Sequence, residues 1–390
     1  MLHHHVLILG AGASGLCCAL FAARRGRSVT VLDHGPVTAR KLRISGGGRC
    51  NFTHLEATAR DYASENPAFA TSALARFTPW DAVGLLAELG LGYEEKNPGQ
   101  LFCDLGAPAL ARRLEQACIQ AGVQIHPRTR IRHAERQANH YLVRTDKGDM
   151  TCDSLVLALG GPSWPDAGAT DLGLTLASGF GLRVIPPRPA LVPLVLPPKD
   201  QTMCRELAGV SLPVELETNG LCIRDDMLFT HKGISGPAVL RLSLHWTKGH
   251  AVSLNLLPGL DLEAHLREHR TARTKLKKHL ASLIPARVAA TLLPAELSSA
   301  PLCQLSNAGI RDVVQRLQRM ERVPARTEGL ARAEVTAGGV DTRAVSSKTM
   351  ECRELPGLFL IGELLDVTGD LGGYNLQWAW SSAHAAAQYV

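Results

Sequence analysis

The stretch from Val6 to Asp33 reads VLILGAGASGLCCALFAARRGRSVTVLD. Val6, Leu7, Ile8 and Leu9 form an apolar run that suits a strand buried on both faces. Gly10, Gly12 and Gly15 follow at the spacing G-x-G-x-x-G. Gly10 permits a sharp turn, Gly12 leaves room for a pyrophosphate, and Gly15 lets a helix pack close on the strand. The N–H groups and dipole of such a helix end favour phosphate. Val29, Val31 and Leu32 make a second strand that ends in Asp33, 18 residues after Gly15. An acid there accepts hydrogen bonds from a ribose. Strand, glycine turn, helix, strand and acid together predict a dinucleotide-binding α/β fold.

Working outward, 390 residues suffice for two or three domains. A 45% hydrophobic and 20% charged composition is that of a globular protein. No apolar run reaches the roughly 18 residues of a membrane span, so no membrane partner is expected. The N-terminus enters a strand directly, which leaves no room for a leader peptide and points to the cytoplasm. Ten cysteines occur without a C-x-x-C pair, which argues against a zinc ribbon or disulfide framework and fits a reducing compartment. His3, His4 and His5 alternate faces on a strand, so no metal site is expected there or elsewhere.

A second dense motif follows, Lys41-Leu42-Arg43-Ile44-Ser45-Gly46-Gly47-Gly48-Arg49-Cys50-Asn51. Its glycines bring backbone close to a ligand, and its polar neighbours hydrogen-bond that ligand. Residues from about 55 to 120 read as mostly helical. Leu155 to Leu159 is a second buried strand, ending in Gly160 and Gly161, where a dinucleotide meets backbone. Prolines from 186 to 198 mark a domain crossing. Short alternating strands fill about 191–255, and an apolar stripe of leucines marks helices from about 259 to 322. Residues 256–332 hold 13 Lys+Arg against 7 Asp+Glu, which accounts for the whole excess charge of +6. From 334 the opening fold resumes. Val335 to Asp341 reads as a glycine-rich turn, Leu358 to Ile361 as a buried strand running into Gly362 and Glu363, and Tyr374 to Tyr389 as a closing helix.

These motifs carry a resemblance. GAGASG at 10–15, KLRISGGGRCNFTH at 41–54, LALGGPSWPDAG at 157–168, LFTHKGISGPAVL at 228–240, EVTAGGV at 334–340 and GLFLIGELLDVTGDLGGYNLQWAWSSA at 357–383 resemble the BaiN-type NAD(P)/FAD-dependent oxidoreductases. These are a branch of the two-dinucleotide-binding-domain flavoproteins. The resemblance implies a Rossmann-like FAD-binding domain interrupted by a β-barrel-like insert and a helical insert. The boundaries expected are 1–190 and 334–390 for the FAD domain, 191–255 with about 323–333 for the β-rich insert, and 256–322 for the helical one.

It also implies roles by position. Gly10, Gly12, Ala13, Ser14 and Gly15 meet the pyrophosphate, and Asp33 the adenosine ribose. Lys41, Ser45, Gly46, Gly47, Arg49, Cys50 and Asn51 line the flavin side. Gly362, Glu363 and Asp366 hold the ribityl and phosphate region. Gly372, Gly373, Tyr374 and Asn375 start the last helix near the flavin ring. Two departures stand out. A Phe-Pro followed by Lys-Ala in relatives is replaced by Leu101 to Ala107, and Thr170 to Gly173 stands where Gly-Asp-Gly is usual. A change of substrate is the expected consequence if that lysine contacts substrate.

The function implied is NAD(P)H-dependent reduction of an electron-poor C=C bond through FAD. A proton must reach the second carbon, and Cys50, His231 and Tyr374 are its candidate donors. The family's substrates include steroid-like enones and uridine of large-subunit ribosomal RNA. The basic insert, with Arg267, Arg270, Arg273, Lys275, Lys277 and Lys278, suits RNA phosphates. A solvated helix face explains the same charges. Two further alternatives are a flavin-dependent RNA methyltransferase, for which no folate motif is visible, and a nucleotide-binding regulator without turnover. Oligomeric state is not legible.

Overall fold

The structure is a computed structural model and describes residues 2–390. The chain divides into two compact units, one ending at Pro189 and resumed at Glu334–Val390, the other Ala190–Ala333.

The first unit is built on a seven-stranded sheet. Its strands are β1 (Leu2–Leu9), β2 (Val29–Leu32), β3 (Gln124–His126), β4 (Ile131–Gln137), β5 (His140–Thr145), β6 (Gly148–Leu157) and β7 (Leu358–Leu360). They lie in the order β3-β2-β1-β6-β5-β4, with β7 also on β6. β1, β2, β3, β6 and β7 run parallel, and β4, β5 and β6 form an antiparallel meander. β6 is therefore shared. Its first half pairs with β5 and its last three residues with β7, while β1 runs along both. Leu7, Ile8, Leu9, Leu155, Val156 and Leu157 are 0% exposed, as a strand covered on both faces requires. The first helix (Ala13–Arg24) and the last (Tyr374–Ala387) pack against each other on one face.

Two expectations change here. The supposedly helical stretch after residue 55 contains strands. Asn51–His54, Gln100–Cys103 and Tyr93–Asn97 form a small antiparallel sheet, with the Asn97-Pro98-Gly99 turn joining the last two. Tyr93–Asn97 is exposed throughout, so it shows no hydrophobic alternation to read. The expected turn at Val335 to Asp341 is a fully buried strand, Val335–Val340. Its glycines serve close packing, since a Cβ at Gly338 would lie 2.5 Å from Pro186 O and one at Gly339 2.6 Å from Leu364 O.

The second unit is a seven-stranded antiparallel sheet with five α-helices after residue 261. Ser211–Thr218 buries every second residue, the pattern of a strand with one wet face. The sheet's end strands, Met320–Arg322 and Arg326–Thr327, are only three residues apart in sequence, so the sheet curls toward a barrel. The helices share the sheet's core. Leu262, Leu266, Leu276 and Leu280 are buried in the same core as Val214, Leu216 and Leu254 of the sheet.

Candidate functional site

Four pieces of the expected site lie at the carboxyl ends of the parallel strands. β1 ends in Gly10, β2 in Asp33, β6 in Ala158 to Gly161, and β7 in Gly362 and Glu363. Strand order reverses at β1, and ligands of open α/β sheets bind at such a switch point.

The three fingerprint glycines do different work. Gly10 has φ +105°, and a Cβ there would lie 2.4 Å from Ala158 O. A Cβ on Gly15 would lie 1.9 Å from Gly10 O. Both are therefore fixed by backbone approaching backbone. A Cβ on Gly12 would meet nothing within 4 Å. Gly12 caps the first helix, so its missing side chain leaves open space in front of the helix end. The first intrahelical hydrogen bond runs from Leu16 N–H to Gly12 O (3.0 Å), so the N–H groups of Ala13, Ser14 and Gly15 belong to the helix's open first turn. Ser14 also packs against Gly362, where an added Cβ would come 2.6 Å from its Oγ.

Asp33 builds this turn. Its Oδ2 accepts from Ala11 N–H (2.9 Å) and its Oδ1 from Gly35 N–H (2.7 Å). Each carboxylate oxygen keeps a second lone pair for a ribose hydroxyl. Arg40, which the sequence reading passed over, stands 3.8 Å from Asp33.

Lys41 and Glu363 meet across the unit. Lys41 Nζ donates to both Glu363 oxygens (2.9 and 2.8 Å) and to Ser163 Oγ (2.6 Å). Glu363 Oε1 also accepts from Ser163 Oγ (3.0 Å) and Thr336 N–H (2.8 Å). Glu334 adds a second acid near Lys41. Burial pushes its carboxyl above the usual range, and the Lys41 ammonium opposes that. Ser163, Thr336 and Glu334 were missed as site residues, although they lie inside the quoted motifs at 157–168 and 334–340. Gly160 and Gly161 complete this floor. A Cβ on Gly161 would come 2.6 Å from Thr336, and one on Gly160 3.8 Å from Glu363.

The glycine loop at Ser45–Gly48 is a single turn with positive φ at Gly46, Gly47 and Gly48. Gly46 and Gly47 are exposed, and Cβ atoms on Gly47 and Gly48 would meet nothing. Arg49 is exposed, donates to Gly46 O (3.2 Å) and lies over the Phe102 ring. Asn51 donates to Gln100 Oε1 (3.1 Å), while its own buried Oδ1 has no partner. Cys50 is 0% exposed, adopts φ +57°, and lies under the loop. Burial pushes its thiol up to about 12. Its side chain packs beneath the loop, away from solvent.

The last helix begins at Tyr374, preceded by Gly372 (φ +121°) and Gly373 (φ +101°). A Cβ on Gly373 would lie 2.5 Å from Thr53 O, so this turn presses on the strand after the glycine loop. The Tyr374 ring stacks on His54, with centroids 4.6 Å apart and planes at 16°. Its carbonyl accepts from Tyr62 OH (2.9 Å). Asn375 binds both Gly369 N–H and Gly369 O (2.9 Å each), and so holds the turn in shape. Asp366 accepts from Glu65 N–H (2.7 Å) and Ser64 OH (3.3 Å), so its carboxylate fixes that loop. Burial raises its pKa. His231 belongs to the other unit, on the exposed turn between Leu221–Phe229 and Gly233–Ser235.

An extended dinucleotide fits these residues. Gly12 and Gly47 each leave open space, the first helix's first turn is free, Asn51 Oδ1 is buried without a partner, and Lys41 is a cation held by Glu363. Fold and site define an FAD-binding oxidoreductase of the Rossmann type. The chain belongs to the family described as the HI0933-like protein Rossmann domain, which matches residues 4–389. It is 43% identical to a protein of Haemophilus influenzae and 44% identical to one of Escherichia coli, both named ribosomal RNA dihydrouridine synthase. Each match covers 98% of this chain, with 97% and 96% of the relatives. It is 30% identical to the 3-dehydro-bile acid delta(4,6)-reductase of Clostridium scindens, over 98% of this chain and 97% of that one. Among solved structures, the 3-ketosteroid-delta4-(5alpha)-dehydrogenase of Rhodococcus jostii RHA1 shares the fold at TM-score 0.50 and 13% identity, covering 99% of this chain and 97% of the other. Among the described residues no helix is long and apolar enough to cross a membrane.

Proposed function

We propose that the protein reduces uridine in ribosomal RNA to dihydrouridine, with FAD as cofactor and NAD(P)H as the source of electrons. One observation carries this reading. The identity to the two ribosomal RNA dihydrouridine synthases, 43% and 44%, holds over nearly the whole chain, against 30% to the bile-acid reductase.

When bound, FAD supplies the hydride chemistry. The chain's own residues bind and orient. The 10–15 turn and the first helix's end would hold the diphosphate. The Lys41–Glu363–Ser163 cluster stiffens the floor between β6 and β7. The N-terminus of the last helix would stabilise negative charge on a reduced flavin held there. A proton must still reach the second carbon. With the Cys50 thiol sealed, we assign that task to Tyr374, whose ring is held by His54. The exposed Arg267, Arg270, Arg273, Lys275, Lys277 and Lys278 would meet RNA phosphates.

The deciding experiment is nucleoside mass spectrometry of large-subunit ribosomal RNA from a host that lacks its own synthase. The gene should restore dihydrouridine, and its Gly12→Val variant should not. If a flavin-loaded wild type restores none yet reduces a steroid enone with NAD(P)H, the protein is a small-molecule reductase.

A further inference from the structure

The second unit gathers three histidines that neither the fold nor the flavin site uses. His265 lies on the helix Leu262–Glu268, His269 caps that helix, and His279 lies on the helix Leu276–Leu280. Each is half-buried, and each offers one ring nitrogen within 4.8 Å of the other two. His265 Nε2 and His279 Nε2 are 2.9 Å apart. The ring centroids are 4.4 Å apart for His265 and His269, and 5.0 Å apart for each ring with His279.

We propose that His265, His269 and His279 form a binding site for a borderline divalent transition-metal ion, zinc first, that ties the two helices together.

Three physical arguments support it. Nitrogens of a tetrahedral zinc site sit about 2.0–2.1 Å from the metal and hence roughly 3.3 Å from one another. Small ring rotations reach that spacing from the separations seen here. The tautomers also suit. His269 Nδ1 lies 2.9 Å from His265 O, and a carbonyl can only accept, so Nδ1 carries the proton and Nε2 keeps its lone pair. Such a bond is the usual outer support of a ligating histidine. Between His265 and His279 one Nε2 donates and the other accepts. The donor ring moves its proton to Nδ1 through water when metal binds, and no net proton is lost.

The ligand set chooses the ion. Three neutral nitrogens among Arg267, Arg270, Lys275, Lys277 and Lys278 offer no charge to a hard cation such as magnesium, whereas imidazole suits zinc, nickel, cobalt and copper. The fourth position is left to water. Residues 270–275, the basic link between the two helices, exposed except for Ala272, would then be pinned at both ends.

The test uses full-length, untagged protein stripped with a chelator. Zinc is titrated calorimetrically, and cobalt is followed by its visible absorption. One equivalent should bind with micromolar or tighter affinity and raise the melting temperature. His279→Ala and His269→Gln should each weaken binding by at least about 100-fold. His279→Cys should restore it. His3→Ala/His5→Ala, which removes the N-terminal imidazoles, should bind like wild type. Flavin content and the melt in chelator show that the variants fold. Binding by His279→Ala and His269→Gln at wild-type affinity, or no zinc uptake by the wild type, overturns the site.

Discussion

At the residue scale, the fingerprint glycines separate binding from folding. A side chain at position 12 meets only open space, so Gly12→Val should fold, melt like the apo wild type, and hold no flavin. Gly15→Ala should instead lower the melt of the apoprotein, by about 1–3 kcal/mol of stability, because its Cβ collides with Gly10 O. Differential scanning of both apoproteins, with flavin absorbance after reconstitution, checks the pair. Flavin retained by Gly12→Val at wild-type occupancy would remove the turn from the phosphate site. Tyr374→Phe keeps the stack on His54 and loses only the hydroxyl. It should slow substrate reduction by about 10²-fold or more, with flavin bleaching by NAD(P)H unchanged. Equal slowing of both half-reactions would mean that Tyr374 positions the cofactor instead. Much of this was legible from spacing alone, since Gly10, Gly12, Gly15 and Asp33 act locally. Cys50 was left between proton donor and packing residue because burial is a property of the folded loop, and nothing in SGGGRCN says which side chain turns inward.

At the element scale, the parallel strands were readable because burial on both faces leaves an unbroken apolar run, as in Leu155 to Leu159. Tyr93–Asn97 was not readable, since an exposed strand of Tyr, Glu, Glu, Lys and Asn carries no period. Nor was the histidine trio complete in sequence. His265 and His269 share a helix face, but His279 reaches them only once the second helix folds back. The basic residues beside that trio are the proposed RNA contacts. Lys275→Ala, Lys277→Ala and Lys278→Ala together should weaken binding to a ribosomal RNA fragment and reduce the slope of affinity against salt by up to about three. Flavin content and turnover of an artificial acceptor should not change. Identical salt slopes in the two proteins would take these lysines out of the RNA contact.

At the scale of the whole molecule, the ten cysteines are free, and only Cys222 and Cys303 are exposed. Two thiols should react quickly with a bulky disulfide reagent in the native protein, and all ten after unfolding. Burial pushes Cys18, Cys50, Cys118 and Cys152 up to about 12. Between about pH 9 and 12 the unfolded chain has released these protons and the folded one has not, so stability falls as pH rises. Each thiol contributes up to about 1.4 kcal/mol per pH unit in that window. The melting temperature should be level from about pH 7 to 8.5 and then decline steeply; a level profile to about pH 10.5 would contradict the buried-thiol account. The division of the nucleotide-binding unit has a different consequence, one of timing. β6 is complete at Leu157, but β7, which pairs its last residues, ends at Leu360. A buried hydrogen bond joins Thr53 to Gln377 across 324 positions. As the chain leaves the ribosome, the sheet's first strands and the whole of Ala190–Ala333 emerge before the pieces that close the flavin floor. Nascent chains thus keep apolar strand faces uncovered until the closing strand and the helix Tyr374–Ala387 have been made.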